Sequence, residues 1–154
     1  MIDRGGLFFL NTDGVFILLL GVAAYLWLWE KEWGSTIRLM ISSLVVFAVV
    51  VVLKELFLAP RPFVVINTEP LAGLTPLSSF PSFHSALAFS TATSVSFRRR
   101  RLGIVLFFVA ALIGAGRVWA YVHYPIDVLV GVMIGILIAA FVESLGKPSK
   151  VKHR

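Results

Sequence analysis

Cysteine is missing from all 154 residues. Disulfides and thiolate metal sites are thereby excluded, while the compartment is left open. Charge is scarce as well: charged residues are 14% of the chain against 58% hydrophobic, and only 8 residues are acidic. A mean hydropathy of +0.93 excludes a water-soluble domain, because so apolar a chain would leave much of its apolar surface facing water. No small-residue cleavage site followed by a soluble body comes after the first apolar run, so a removable signal peptide is not expected. Internal repeats and low-complexity segments are lacking too. The net charge of +6 invites a nucleic-acid reading, but the positions of the charges argue against such a partner.

What is present is a series of long apolar runs, at Gly14 to Trp29, Ile37 to Leu58, Phe80 to Phe97, Leu102 to Val122 and Ile126 to Leu145. Each crosses or nearly crosses a hydrocarbon layer about 30 Å thick. The expected fold class is therefore all-α, an integral membrane helical bundle of about five transmembrane helices in a single domain over residues 1–154. Within 1–13, the Leu7 to Leu10 run fits an interfacial helix lying against the headgroups, and residues 147–154 read as a basic tail. Lys31, Arg38, Arg98 to Arg101, Lys147, Lys150, Lys152 and Arg154 collect on one side. Cytoplasmic loops are rich in Lys and Arg, so this side, with the C-terminus, is expected to be the cytoplasmic face of a cell membrane. The Arg98 to Arg101 run then anchors topology and does no chemistry. Gly131 and Gly135 form a small-x-x-x-small pair, expected to pack the last helix within the bundle. Between Ala59 and Ser79, Pro60, Pro62, Pro70 and Pro76 end the second helix near Leu58.

Only Arg4, Lys54, Arg61 and Arg117 are left among the cations of the opposite side, and the last three belong to polar clusters. A charge within a membrane-spanning helix costs about 2.5–3.5 kcal/mol on insertion scales, so several at one depth imply chemistry or transport. Lys54 and Arg61 are seven residues apart, which on a continuing helix puts both on one face, converging on one anion. Lys brings a mobile point charge and Arg a planar fork. Lys54 alone also reads as snorkelling to the headgroups. Pro81 suits the first position of a helix, which would leave the N–H groups of Ser82, Phe83 and His84 to meet an anion. His84 adds a proton-exchanging side chain near neutral pH, although a lone interfacial histidine is more often structural. His123 and Asp127 mark the entry to the last helix, beyond Arg117. A carboxylate holding one imidazole nitrogen frees the other for attack, while the plainer reading of the pair is a capped, buried helix end.

Lys-x6-Arg-Pro at Lys54 to Pro62, Pro-Ser-x-His at Pro81 to His84, and Arg-x5-His-x3-Asp at Arg117 to Asp127 resemble, in order and spacing, the three motifs of the type-2 phosphatidic acid phosphatase family. The Ala59 to Val64 stretch and the five-span layout look most like the bacterial undecaprenyl-diphosphate phosphatases within it. The resemblance implies a membrane lipid phosphatase with His123 as nucleophile forming a phosphohistidine, Asp127 orienting it, and His84 as acid and then base. It further implies that Lys54, Arg61, Ser82, Arg117 and the backbone at Phe83 hold the phosphate oxygens, on the extracytoplasmic face. No metal or other cofactor is required by that scheme. Phe83 stands where the family commonly has glycine, and Gly116 where it commonly has serine. A polyprenyl diphosphate is the expected substrate, with a glycerolipid phosphate such as phosphatidic acid or phosphatidylglycerophosphate as the alternative. From another class comes a non-catalytic carrier or transporter of anionic lipid, against which the nearly apolar cytoplasmic halves of the spans count.

Overall fold

Among the described residues six helices follow one another: α1 (Gly14–Ala24), α2 (Trp33–Leu56), α3 (Pro62–Val65), α4 (Phe83–Ser96), α5 (Arg100–Trp119) and α6 (Pro125–Leu145). They come from a computed structural model that describes residues 14–25, 31, 33–68 and 78–146. The chain is an all-helical membrane protein, with no strand among the described residues. The segment expected at the interface (1–13) and the basic tail (147–154) lie outside the described residues.

Of the five expected crossings, α2, α5 and α6 are long and apolar enough to cross a membrane, at 24, 20 and 21 residues. The described helix at the first run, α1, has 11 residues. The third run yields only the 14 residues of α4, about 21 Å at 1.5 Å per residue and short of a full crossing. The physical reason is position. Packed against α1, α2, α5 and α6, α4 is shielded from lipid, so it need not be apolar. Ser85, Ser90, Thr91, Thr93 and Ser94 are all buried within it. Thr91 and Thr93 donate to the carbonyls of Leu87 (2.9 Å) and Phe89 (2.7 Å) one turn back, which satisfies their hydroxyls inside the helix itself. Lipid instead meets stripes such as Leu129, Met133, Leu137 and Phe141 on α6, all exposed at a spacing of four.

The glycine pair of α6 is spent inside the bundle, as its spacing predicts. A Cβ on Gly131 would meet the Ser82 carbonyl and the Ala86 amide, and one on Gly135 would collide with the Ala86 carbonyl and the Ser90 amide. Backbone therefore lies on backbone along α4 and α6, which run in the same direction.

Antiparallel α2 and α5 complete the arrangement. The C-terminal ends of α2 and α5 and the N-terminal ends of α4 and α6 then gather at one end of the bundle. Arg38, the α4–α5 turn and Glu143 occupy the other. There the structure corrects the expectation of an apolar half. Arg38 Nε donates to Glu143 Oε2 at 2.8 Å with the carboxylate side chain 2% exposed, and Arg38 Nη2 reaches the Ser35 hydroxyl at 3.3 Å. Arg38, half-buried, is thus the ion-pair partner of buried Glu143 and joins α2 to α6. Single charges on long apolar helices, and hydroxyls that bond to their own helix, barely register in a hydropathy average.

Replacing Gly135 with Ala is expected to cost about 1–3 kcal/mol by overpacking the α4–α6 contact. Gly116→Ala, where an added Cβ meets nothing within 4 Å, should cost far less. Denaturation midpoints of the two variants in one detergent check the contrast, and equal midpoints would contradict the packing described.

Candidate active site

The first cluster assembles through a broken chain. Lys54 lies in the last turn of α2, which ends at Leu56, so the expected shared helix face does not extend to Arg61. Pro60 and Pro62 are the reason: neither can donate a helical hydrogen bond, and each pushes the residue before it out of helical geometry. Arg61 is extended (φ −73°, ψ 150°) and caps the short helix α3. Its guanidinium returns to the bundle by donating Nη1 to the Val122 carbonyl at 3.1 Å, with the residue 8% exposed. Burial pulls its pKa down while the nearby Asp127 carboxylate pushes it back up. Lys54 Nζ donates to the Ser78 carbonyl at 2.6 Å.

Convergence therefore depends on a loop, and Ser78 and Ser79 hold that loop. The Ser78 hydroxyl donates to the Phe57 carbonyl and accepts from the amides of Ala59 and Phe80, each at 3.3 Å. Ser79 donates its amide to the Ala59 carbonyl at 2.9 Å, and its hydroxyl reaches the Asp127 side chain. Neither serine was singled out from the sequence. The available signal was two adjacent hydroxyl residues immediately before Phe80-Pro81-Ser82 in a loop that otherwise carries prolines.

At the second cluster the helix begins two residues later than Pro81 predicts. Ser82 is the N-cap, its Oγ accepting from the Ser85 amide at 3.5 Å and the Ser85 hydroxyl at 3.0 Å, and Phe83 is the first helical residue. A serine oxygen that can satisfy a first-turn amide competes successfully for the cap position. The Ser82 amide, expected to face an anion, donates to the Asp127 carbonyl at 3.0 Å. Ser82 is fully buried. Half-buried His84 follows in the first turn, its ring edge-on to Phe83 with centroids 6.1 Å apart. Phe83 does not line the cluster with its ring: it packs edge-on to Phe47 at 5.9 Å and touches both hydrophobic clusters of the core.

Around the third cluster, Arg117 sits in the last turn of α5 at 1% exposure. Its carbonyl accepts from the amides of Val122 (3.2 Å) and His123 (3.3 Å), folding the α5–α6 connection back on the helix end. Asp127 Oδ2 accepts the Tyr124 amide at 2.8 Å, a first-turn carboxylate in the orientation that a helix start favours. The same oxygen stands 3.6 Å from His123 Nδ1, an ion-pair distance just beyond hydrogen-bond length, and both side chains are 3% exposed. His123 is held neutral: burial lowers its pKa to about 4, Asp127 acts in the other direction, and Arg117, Arg61 and Lys54 add to the lowering.

Lys54, Arg61 and Arg117 thus lie close enough to His123 to act on its charge, with Asp127 behind the ring. The structure brings these five together and joins them, through the Ser82 amide on Asp127, to the start of α4 that carries Phe83 and His84. Among the described residues no group of three or more His, Cys, Asp or Glu side chains gathers to hold a metal ion. Two buried guanidiniums and the half-buried ammonium of Lys54 around the single carboxylate of Asp127 suit an anion with several oxygens, and a neutral imidazole beside them keeps a lone pair on one ring nitrogen.

Comparison with known proteins follows the same residues. The model of the PAP2 superfamily matches residues 35–147. The bacitracin transport permease protein BcrC of Bacillus licheniformis is 28% identical over 144 residues, covering 88% of this chain and 68% of that protein. Undecaprenyl-diphosphatase BcrC of Bacillus subtilis is 35% identical over 82 residues, 53% of this chain but only 42% of that protein. Among solved structures, the crystal structure of Aquifex aeolicus LpxE aligns with a TM-score of 0.72 at 32% identity, covering 90% of this chain and 81% of that one.

The depressed pKa of His123 has a stability consequence. Between the ordinary value of 6.5 and about 4 the unfolded chain binds the proton and the folded chain does not, so the contribution of His123 is full above pH 6.5 and is lost as pH falls toward 4. Unfolding measured across that window should show a steeper fall for the wild type than for His123→Gln. Parallel curves would contradict a buried, neutral imidazole.

Proposed function

The chain belongs to the PAP2 superfamily and is a membrane lipid phosphatase, and from that premise we propose that it removes the terminal phosphate of a polyprenyl diphosphate through a phosphohistidine at His123. The observation that carries this reading is the buried His123, backed by Asp127 at 3.6 Å on Nδ1 and within reach of three cations. With Nδ1 facing the carboxylate, Nε2 is the attacking atom. It bonds to the terminal phosphorus while the bond from that phosphorus to the bridging oxygen breaks, and His84 gives its proton to the departing lipid phosphate. His84 then takes a proton from water, the water oxygen attacks phosphorus, and the P–N bond breaks to release inorganic phosphate and restore His123.

Lys54, Arg61 and Arg117 hold the phosphoryl oxygens as charge moves onto them, the kind of fixed electrostatic support that supplies most of the rate in phosphoryl transfer. Their cost is met by position, since the cluster sits at one end of the bundle where lipid gives way to water. Ser82 contributes its hydroxyl hydrogen and Phe83 its first-turn amide. That end is the extracytoplasmic one, because Arg38 and Arg98 to Arg101 occupy the other and such clusters stay in the cytoplasm. The name of the Bacillus subtilis relative supports the polyprenyl substrate.

Phosphate release by the purified protein, measured on a panel of polyprenyl diphosphates and glycerolipid phosphates, tests the substrate directly. Faster turnover of phosphatidic acid or phosphatidylglycerophosphate would transfer the reading to a glycerolipid, and no release at all would favour a carrier. His123→Ala should abolish turnover while substrate still binds, and His84→Ala should lower kcat by roughly 10²–10⁴-fold. Vanadate should inhibit and a chelator should not. Activity lost in chelator and restored by one divalent ion would overturn the scheme.

A further inference from the structure

A cleft of about 440 Å³ opens beside Lys54, on the flank of the bundle, which is within the usual range of small-ligand sites. Its apolar lining is Val51, Leu58, Ala59 and Pro60, and its polar lining is Lys54, Glu55 and Ser78. Val51 lies one turn deeper in α2 than Lys54, and at 41% exposure it is open to lipid, as is Phe47 a further turn down at 53%. The cleft therefore runs from the membrane face of α2 up to Lys54 Nζ. Lys54 in turn acts on the charge of His123, so one side chain borders both the cleft and the reacting centre. His123 itself is 3% exposed.

We propose that this cleft seats the first carbons of the substrate chain, and that the seat selects a prenyl chain over a glycerolipid. The inference rests on the phosphatase reading above and adds a recognition surface to it. A prenyl chain has no polar atom beyond its diphosphate, and Val51, Leu58, Ala59 and Pro60 suit it. A glycerolipid carries ester carbonyls within three carbons of its phosphate. Buried there, those oxygens would need donors, and the carbonyl of Ser78 and the carboxylate of Glu55 are acceptors, while the ammonium of Lys54 is required for phosphate. Diphosphate at Lys54 with the chain descending over Val51 and Phe47 also keeps the tail in hydrocarbon throughout.

Two measurements test it. Val51→Trp and Ala59→Trp fill the cleft from its apolar lining and replace no residue of the cluster. Both should lower kcat/KM at least tenfold for a long-chain polyprenyl diphosphate, yet change it less than twofold for p-nitrophenyl phosphate, which has no chain to seat. Equal losses on the two substrates, or none on the long one, would overturn the seat. Independently of turnover, a prenyl diphosphate bearing a photoreactive group near its diphosphate should label Val51, Leu58 or Ala59 in the His123→Ala protein. Labelling on the α6 stripe at Met133 or Leu137 instead would end the inference, whereas a wild-type protein that releases no phosphate yet labels at the cleft would sink only the catalytic reading.

Discussion

The backbone contact between α4 and α6 is the constraint on which the rest depends. Two glycines on α6 let the helices approach until the Gly131 and Gly135 positions have no room for a methyl group beside Ser82, Ala86 and Ser90. That approach fixes the Ser82 amide on the Asp127 carbonyl at 3.0 Å, so the helix start carrying His84 and the one carrying Asp127 share a level. Larger side chains would move the two starts apart before any catalytic residue changed. Close packing transmits such a displacement because the interior is dense and has no slack to absorb it.

Electrostatics at this end of the bundle follow from that geometry. Arg61, Arg117, His123 and Asp127 are each less than a tenth exposed, an arrangement that is costly for charged groups unless they are paired or serve a ligand. Backbone carbonyls of Val122 and Ser78 steady two of the cations, Arg61 and Lys54. Burial keeps His123 deprotonated, and the same cations add to that effect. At the other end, Arg38 and Glu143 satisfy each other directly and act as a brace between α2 and α6. Buried charge therefore does two jobs, and what separates them is whether the counter-charge belongs to the protein.

Much of the site was legible in the sequence because scarcity made it visible. In a chain with so few charged residues, Lys54, Arg61, Arg117 and Asp127 stand out at matching ends of apolar runs, and Pro81 to His84 reads as a helix start. Local mechanisms were harder to read. The path from Lys54 to Arg61 looked like one helix, but two prolines break it and the loop restores the convergence. Pro81 reads as the first helical residue, but Ser82 caps the helix because its oxygen can satisfy an amide. Arg38 reads only as one of the charges on the cytoplasmic side because its partner lies 105 residues away, and Ser78 and Ser79 act through loop contacts that have no periodic pattern.

The sequence by itself determined that the protein is helical and membrane-embedded, and that its scarce polar residues cluster at one end, since hydropathy, helix length and the cost of buried charge all act along the chain. Only the tertiary structure decided that α4 is a short central helix, that Phe83 packs in the core, and that a neutral His123 faces Asp127 with three cations nearby. Those outcomes depend on which helices touch, and contact between distant segments is set by the shapes of their surfaces in three dimensions, which no local pattern encodes.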